Sequence, residues 1–207
     1  MNTINFINFA NENFRNKQLL NTQSAVNHGR VKDTICFSTS DIDDVFAKKN
    51  NHILSCKKGA GYWLWKPYII NKVLDQINTG ENIMYCDSGC EIIEDLTPLE
   101  NLLSDSNPFV CFEIYGSKEI NWSKKECIDH IIGADREMVY SPQFCASYML
   151  FKATNKTREF VKSWLKLCEN HLLMKDPELF SEKIYKDFIA HRHDQSIFSL
   201  LCKKNGL

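Results

Sequence analysis

The stretch from Gly59 to Glu91 constrains this chain more than any other, because it spells a loop, an amphipathic helix, a stop and a buried strand in immediate succession. Gly59 and Gly61 flank the start of an aromatic cluster (Tyr62, Trp63, Trp65), followed by Lys66 and Pro67, and proline suits the first turn of a helix. Ile69, Ile70, Val73, Leu74 and Ile77 then recur at spacings of three and four, which predicts a helix to about Asn78 with one apolar face. Thr79-Gly80 stops it. Ile83, Met84, Tyr85 and Cys86 read as a short strand buried on both faces, emerging at Asp87-Ser88-Gly89. An acidic residue at the exit of a core strand stands where open α/β sheets bind their ligands.

The rest of the chain repeats this alternation. Strands are expected over 3–10, 33–38, 108–114 and 143–152, and helices over 14–28, from Thr97, from 157 to 173, and in the last segment from Ile197. Between Tyr115 and Tyr140 the pattern weakens, which predicts an excursion that shapes a site. The expected architecture is α/β: a single Rossmann-like domain with a mostly parallel central sheet flanked by helices.

The chain has 207 residues and a formal net charge of -1, so it carries no basic footprint for nucleic acid or an anionic membrane. No run approaches the length of a membrane span. Its nine cysteines are scattered without a CxxC pair and sit mostly in apolar runs, which predicts free thiols in a reducing, cytoplasmic setting. The sequence ends on Lys203-Lys204-Asn205-Gly206-Leu207 directly after a helical pattern, and so reads as a piece of something longer.

Three clusters carry chemistry. Asp87-Ser88-Gly89 is an ordinary turn on its own, but in extended geometry Asp87, Gly89 and Glu91 share one face and offer oxygens to a hard cation. His191-Arg192-His193-Asp194-Gln195-Ser196 abuts an apolar helix. Asp194 there is a cap, a general base or a hydroxyl binder; the histidines are solvated, metal ligands or phosphate donors; Arg192 is a charge clamp. Lys66 at a helix start is placed to bind phosphate, whereas the tryptophans near it read first as a hydrophobic lid.

Taken together, GYWLWKPYII, YCDSGCEI, QFCASYMLFK and HRHDQSIFSLL resemble the small glycosyltransferases of the A-type (GT-A) fold found in bacterial surface-polysaccharide loci and large viruses, among them the first glycosyltransferase domain of a chlorella virus. The resemblance implies transfer of a sugar, a hexose in this reading, from a nucleoside-diphosphate sugar (UDP favoured) to a glycan or related hydroxyl acceptor. It implies a nucleotide-binding half, 1–90, an acceptor and sugar half, 91–207, and a divalent metal, Mn2+ or Mg2+. By position, Asn8, Phe9 and Ala10 would line the nucleobase and ribose, with Lys66, Asp87, Gln143 and Arg192 completing the donor site. Asp194 and Gln195 would be catalytic, and Asp87 and His193 would hold the metal. Gly89 stands where the family's two-acid motif has its second acid, so Asp87 either works with His193, His191 or Glu91, or the protein manages without a tightly held metal. Two other readings stand beside this one: a catalytically silent nucleotide-sugar or glycan-binding module of a polysaccharide-assembly protein, and a metal-dependent phosphohydrolase using Asp87 and the histidines.

Overall fold

Seven short strands form two sheets in the computed structural model, which describes residues 3–133, 135–177 and 185–207. They are β1 (Ile4–Phe9), β2 (Asp33–Phe37), β3 (Asn82–Cys86), β4 (Phe109–Val110), β5 (Glu113–Lys118), β6 (Pro142–Phe144) and β7 (Tyr148–Lys152). Contacts divide the chain into two compact units assembled from interleaved segments. The first is Met1–Lys48, Tyr68–Cys111 and Ser147–Lys162; the second is Lys49–Pro67, Phe112–Ala146 and Ser163–Leu207. These units do not coincide with halves cut at residue 90, because each is completed by segments from late in the chain.

The first unit holds a five-stranded sheet in the order β2-β1-β3-β7-β4. β1 pairs in parallel with β2 and β3, while β7 is antiparallel to both β3 and β4, so β7 runs against the other four strands of this sheet. The expected mostly parallel sheet is therefore present. β1 and β3 are buried along their whole length, which explains why they read as continuous apolar runs. Ile69, Ile70, Val73 and Leu74 of the helix Trp65–Leu74 are fully buried, each such side chain stabilising the fold by roughly 1.5–3 kcal/mol. β1 has β2 on one side and β3 on the other, so the carboxyl ends of β1 and β3 form the switch point at which sheets of this kind open a ligand crevice.

The second unit holds the two-stranded sheet of β5 and β6, in which Ile114 lies opposite Gln143. Around it are the short helices Glu119–Trp122, Lys125–Ile131 and Arg136–Tyr140 and the helix His193–Lys204. Two expected strands are each divided here. The apolar run 143–152 becomes β6 in one sheet and β7 in the other, because the Cys145 N–H donates to the Phe112 carbonyl (2.7 Å) and the Ala146 N–H to the Gln195 side chain (3.2 Å). The run 108–114 likewise splits into β4 and β5. The helix expected over 157–173 is Asn155–Cys168, and the last helix starts at His193, four residues before its first aliphatic side chain.

Candidate functional site

In the first unit the switch point is built from Phe9, Ala10 and Asp87-Ser88-Gly89. The chain leaves β3 in a turn closed by the Cys90 N–H on the Asp87 carbonyl (2.9 Å), so Asp87, Gly89 and Glu91 do not share the face of an extended strand. The Ser88 hydroxyl donates to the Phe9 carbonyl at 2.6 Å and ties the two strand ends together. Asp87 is partly exposed, and its carboxylate accepts a hydrogen bond from the Tyr85 hydroxyl. Asn8, expected to line the donor, is fully buried below this rim. Its amide donates to Asn21 Oδ1 (2.6 Å) and Thr22 Oγ1 (2.9 Å), and its carbonyl accepts from Gln18 (2.9 Å). Both faces of that amide are occupied, so Asn8 shapes the strand end rather than offering a free polar group.

In the second unit, Gly59 to Trp63 are five consecutive residues with positive φ, between +49° and +98°. Such a left-handed turn is costly for residues with a Cβ, and Gly61 is required in it because an added Cβ would come within 2.7 Å of the Leu54 Cα. His193, itself at φ +47°, stacks on the turn, its ring centroid 4.5 Å from Tyr62 and 5.7 Å from Trp63. The neighbouring Asp194 takes Lys66, the residue that follows Trp65 out of the turn, in an ion pair of 3.2 Å, and Lys66 also donates to the Ala146 carbonyl (2.9 Å). Lys66 stands at a helix start as expected, but its ammonium is buried and serves Asp194 rather than an exposed phosphate.

His193 is placed as a packing residue, with its Nε2 3.5 Å from Asp176 Oδ1. Its Nδ1 lies 2.6 Å from the Met174 carbonyl, and burial pushes its pKa down to about 4. His191 is held well below the usual histidine range, first by burial and then by the neighbouring His193. Its Nε2 donates to the Leu173 carbonyl (2.8 Å) and its Nδ1 accepts from the Lys124 N–H (3.4 Å), which defines a neutral ring. Among the described residues no group of three or more His, Cys, Asp or Glu side chains is arranged to hold a metal ion. Asp87 belongs to the first unit and His193 to the second.

The remaining predicted residues meet in one cluster of the second unit, centred on Gln143. Its carbonyl accepts from Arg192 Nη1 (3.3 Å) and from Gln195 Nε2 (3.2 Å), and its amide donates to Glu119 Oε2 (3.0 Å) and Ser123 Oγ (2.9 Å). Gln143 is fully buried, whereas Arg192 and Gln195 are half-buried and form the accessible edge of the cluster. The Arg192 guanidinium lies 3.7 Å from the centre of the Trp122 ring, an arrangement that holds a cation in place without neutralising it. Glu119, Ser123 and Trp122 carried no signal in the sequence, since the helix Glu119–Trp122 is a single turn in the weakly patterned excursion. Asp194 is not the helix cap; Arg192 holds that position, and Asp194 lies in the first turn.

Known structures share this fold. They include WbbM, a bifunctional glycosyltransferase, with a TM-score of 0.57 and 10% identity over 97% of this chain and 37% of that one. Mouse xyloside xylosyltransferase 1 gives a TM-score of 0.51 and 9% identity over 98% of this chain and 82% of that one. A glycosyltransferase involved in glycosylating the major capsid of PBCV-1 is more distant, with a TM-score of 0.45 and 12% identity over 90% of this chain and 80% of that one. No protein-family model and no curated protein matches the chain in sequence. At identities this low the structural likeness establishes the fold alone, an α/β architecture of the GT-A kind, and the chain spans little more than a third of the length of WbbM.

Proposed function

We propose that the chain is a glycosyltransferase that moves a sugar, a hexose in this reading, from a nucleoside diphosphate, with UDP favoured, to a hydroxyl of a glycan. The observation that carries this reading is the sharing of the Gln143 carbonyl by Arg192 and Gln195, which sets a guanidinium and a neutral amide side by side at an accessible edge. In such a transfer the bond from the anomeric carbon to the diphosphate oxygen breaks, a bond to the acceptor oxygen forms, and the acceptor proton is given up. Arg192 suits the negative charge that grows on the leaving group. Gln195, whose carbonyl is fixed by the Ala146 N–H, suits the sugar, to which it offers a dipole without a competing ion pair. Asp194, first considered a base, is assigned a positioning role. Its carboxylate is buried against Lys66 and its backbone carbonyl accepts from Trp164 Nε1 (3.1 Å), which sets the helix turn that carries Gln195.

In the first unit, the rim of Phe9, Ala10 and Asp87 is assigned to the donor nucleotide by its place at the switch point. The described residues around Asp87 do not make a metal site by themselves, so a magnesium or manganese ion in this reading would be held by Asp87 together with oxygens of the donor diphosphate. Such an ion would supply charge neutralisation when bound. In this reading the compartment is cytoplasmic, and no described helix is long and apolar enough to cross a membrane. The test is release of nucleoside diphosphate from a panel of nucleotide sugars, with glycan acceptors and with manganese, magnesium or neither. Acceptor-dependent release supports the transferase, whereas tight binding with no turnover under any condition replaces it with a silent sugar-nucleotide module.

A further inference from the structure

Glu119 is fully buried on the single-turn helix Glu119–Trp122. Its carboxylate accepts hydrogen bonds from Ser123 Oγ (2.6 Å), from Gln143 Nε2 (3.0 Å) and from the Ser199 hydroxyl, and Lys203 Nζ lies 3.7 Å away. The two hydroxyls are themselves oriented. Ser123 Oγ accepts from Gln143 Nε2 (2.9 Å) and Ser199 Oγ from the Phe144 N–H (2.7 Å), so their hydrogens are directed at Glu119. Burial raises the Glu119 pKa, and the three hydrogen bonds oppose that shift.

This arrangement decides which way round the Gln143 amide sits. With its NH2 toward Glu119, its carbonyl faces the Arg192 guanidinium and the Gln195 NH2, both of which are donors. The reverse orientation would set the carbonyl against a carboxylate and the NH2 against two donors, losing the bonds of Gln143 to Glu119, Arg192 and Gln195. We infer that Glu119 is a positioning residue of this site, acting through Gln143 to hold Arg192 and Gln195 in the geometry that transfer requires. The inference rests on the roles proposed above for Arg192 and Gln195, and its structural half stands independently of them.

The experiment uses the full chain with Glu119→Met and Glu119→Gln. The apolar variant removes the acceptor that orients Gln143, whereas the amide variant keeps one oxygen able to accept from it. Glu119→Met is expected to lower kcat at least about tenfold, with the donor KM changed by less than about threefold, because small misplacements of positioned groups carry losses of that order. Glu119→Gln is expected to stay within about threefold of the natural protein. The side-chain NMR signals of Arg192 Nε–H and Gln195 NH2 should shift or broaden in Glu119→Met and hold in Glu119→Gln, with ligand absent. If Glu119→Met fails to fold, Glu119→Asp, which withdraws the carboxylate by one methylene, should show the same spectral change. Unchanged signals in the folded variant, or turnover lost only in proportion to the folded fraction, would overturn the inference. If the natural protein transfers no sugar, the proposed function fails, and the NMR signals alone still decide whether Glu119 orients Gln143.

Discussion

Lys66 and Asp194 form a buried ion pair, ammonium to carboxylate at 3.2 Å, with each side chain only 4% exposed. Taking two charges out of water is costly, and the pair is tolerable because Lys66 also reaches the Ala146 carbonyl. The contact joins the end of the left-handed turn to the first turn of the helix His193–Lys204, both within the second unit.

Breaking this pair from either side is expected to be expensive. Lys66→Met and Asp194→Leu should each lower stability by about 3–5 kcal/mol, because each strands one buried charge. The double replacement should recover most of that loss. Urea denaturation of the three variants checks the claim, and additive losses in the double variant would show that the two residues act independently. Activity should fall in all three, since each disturbs the turn that carries Gln195.

Gly61 and Gly89, both in the stretch from Gly59 to Glu91, should behave oppositely. Gly61→Ala places a Cβ 2.7 Å from the Leu54 Cα at a φ of +98°, and should cost at least about 1–3 kcal/mol. Gly89 has no atom within 4 Å of an added Cβ and no positive φ, so Gly89→Asp should fold with near-unchanged stability. That variant also supplies the second acid at the Asp87 turn. Tighter manganese binding, read by calorimetry in the presence of nucleoside diphosphate, is expected for Gly89→Asp, and loss of most turnover for Asp87→Ala. Wild-type turnover in Asp87→Ala would remove Asp87 from the donor site.

Acid should destabilise the second unit through its two buried histidines. The folded-state pKa of His193 is lowered to about 4 from 6.5, so its contribution to stability is present above about pH 6.5 and is lost as pH falls through that window toward 4. His191 acts in the same direction, because a proton on its Nδ1 would displace the Lys124 N–H. The urea midpoint should fall between pH 7 and pH 4.5. His193→Asn, which keeps a residue tolerant of positive φ, should show a shallower fall. An equal slope in that variant would place the acid sensitivity elsewhere.

Much of the fold was legible because its signals are local. β1, β2 and β3 are apolar runs ended by turn residues, and the helix Asn155–Cys168 shows its buried face as Phe160, Val161, Trp164 and Cys168. The division of 143–152 was not legible, because the groups that divert Cys145 and Ala146 are the Phe112 carbonyl and the Gln195 side chain, distant in sequence. Of the site, Arg192, Gln195 and Gln143 were named from sequence and meet in the structure. Lys66 and His193 were named for the wrong environment, since a sequence shows a charged or aromatic side chain but not that it will be buried against a partner. Glu119 gave no signal at all, being one polar residue among several in a segment without a period.

The most direct test of the central claim is the acceptor-dependent release of nucleoside diphosphate by the natural protein and by Gln195→Ala, measured across nucleotide sugars and glycan acceptors. The account predicts turnover in the natural protein, and a fall in kcat of about a hundredfold in a Gln195→Ala variant that remains folded under assay conditions, although losing its bonds to Ala146 and Gln143 lowers its stability by about 1–3 kcal/mol. Turnover undiminished in a folded Gln195→Ala would contradict it.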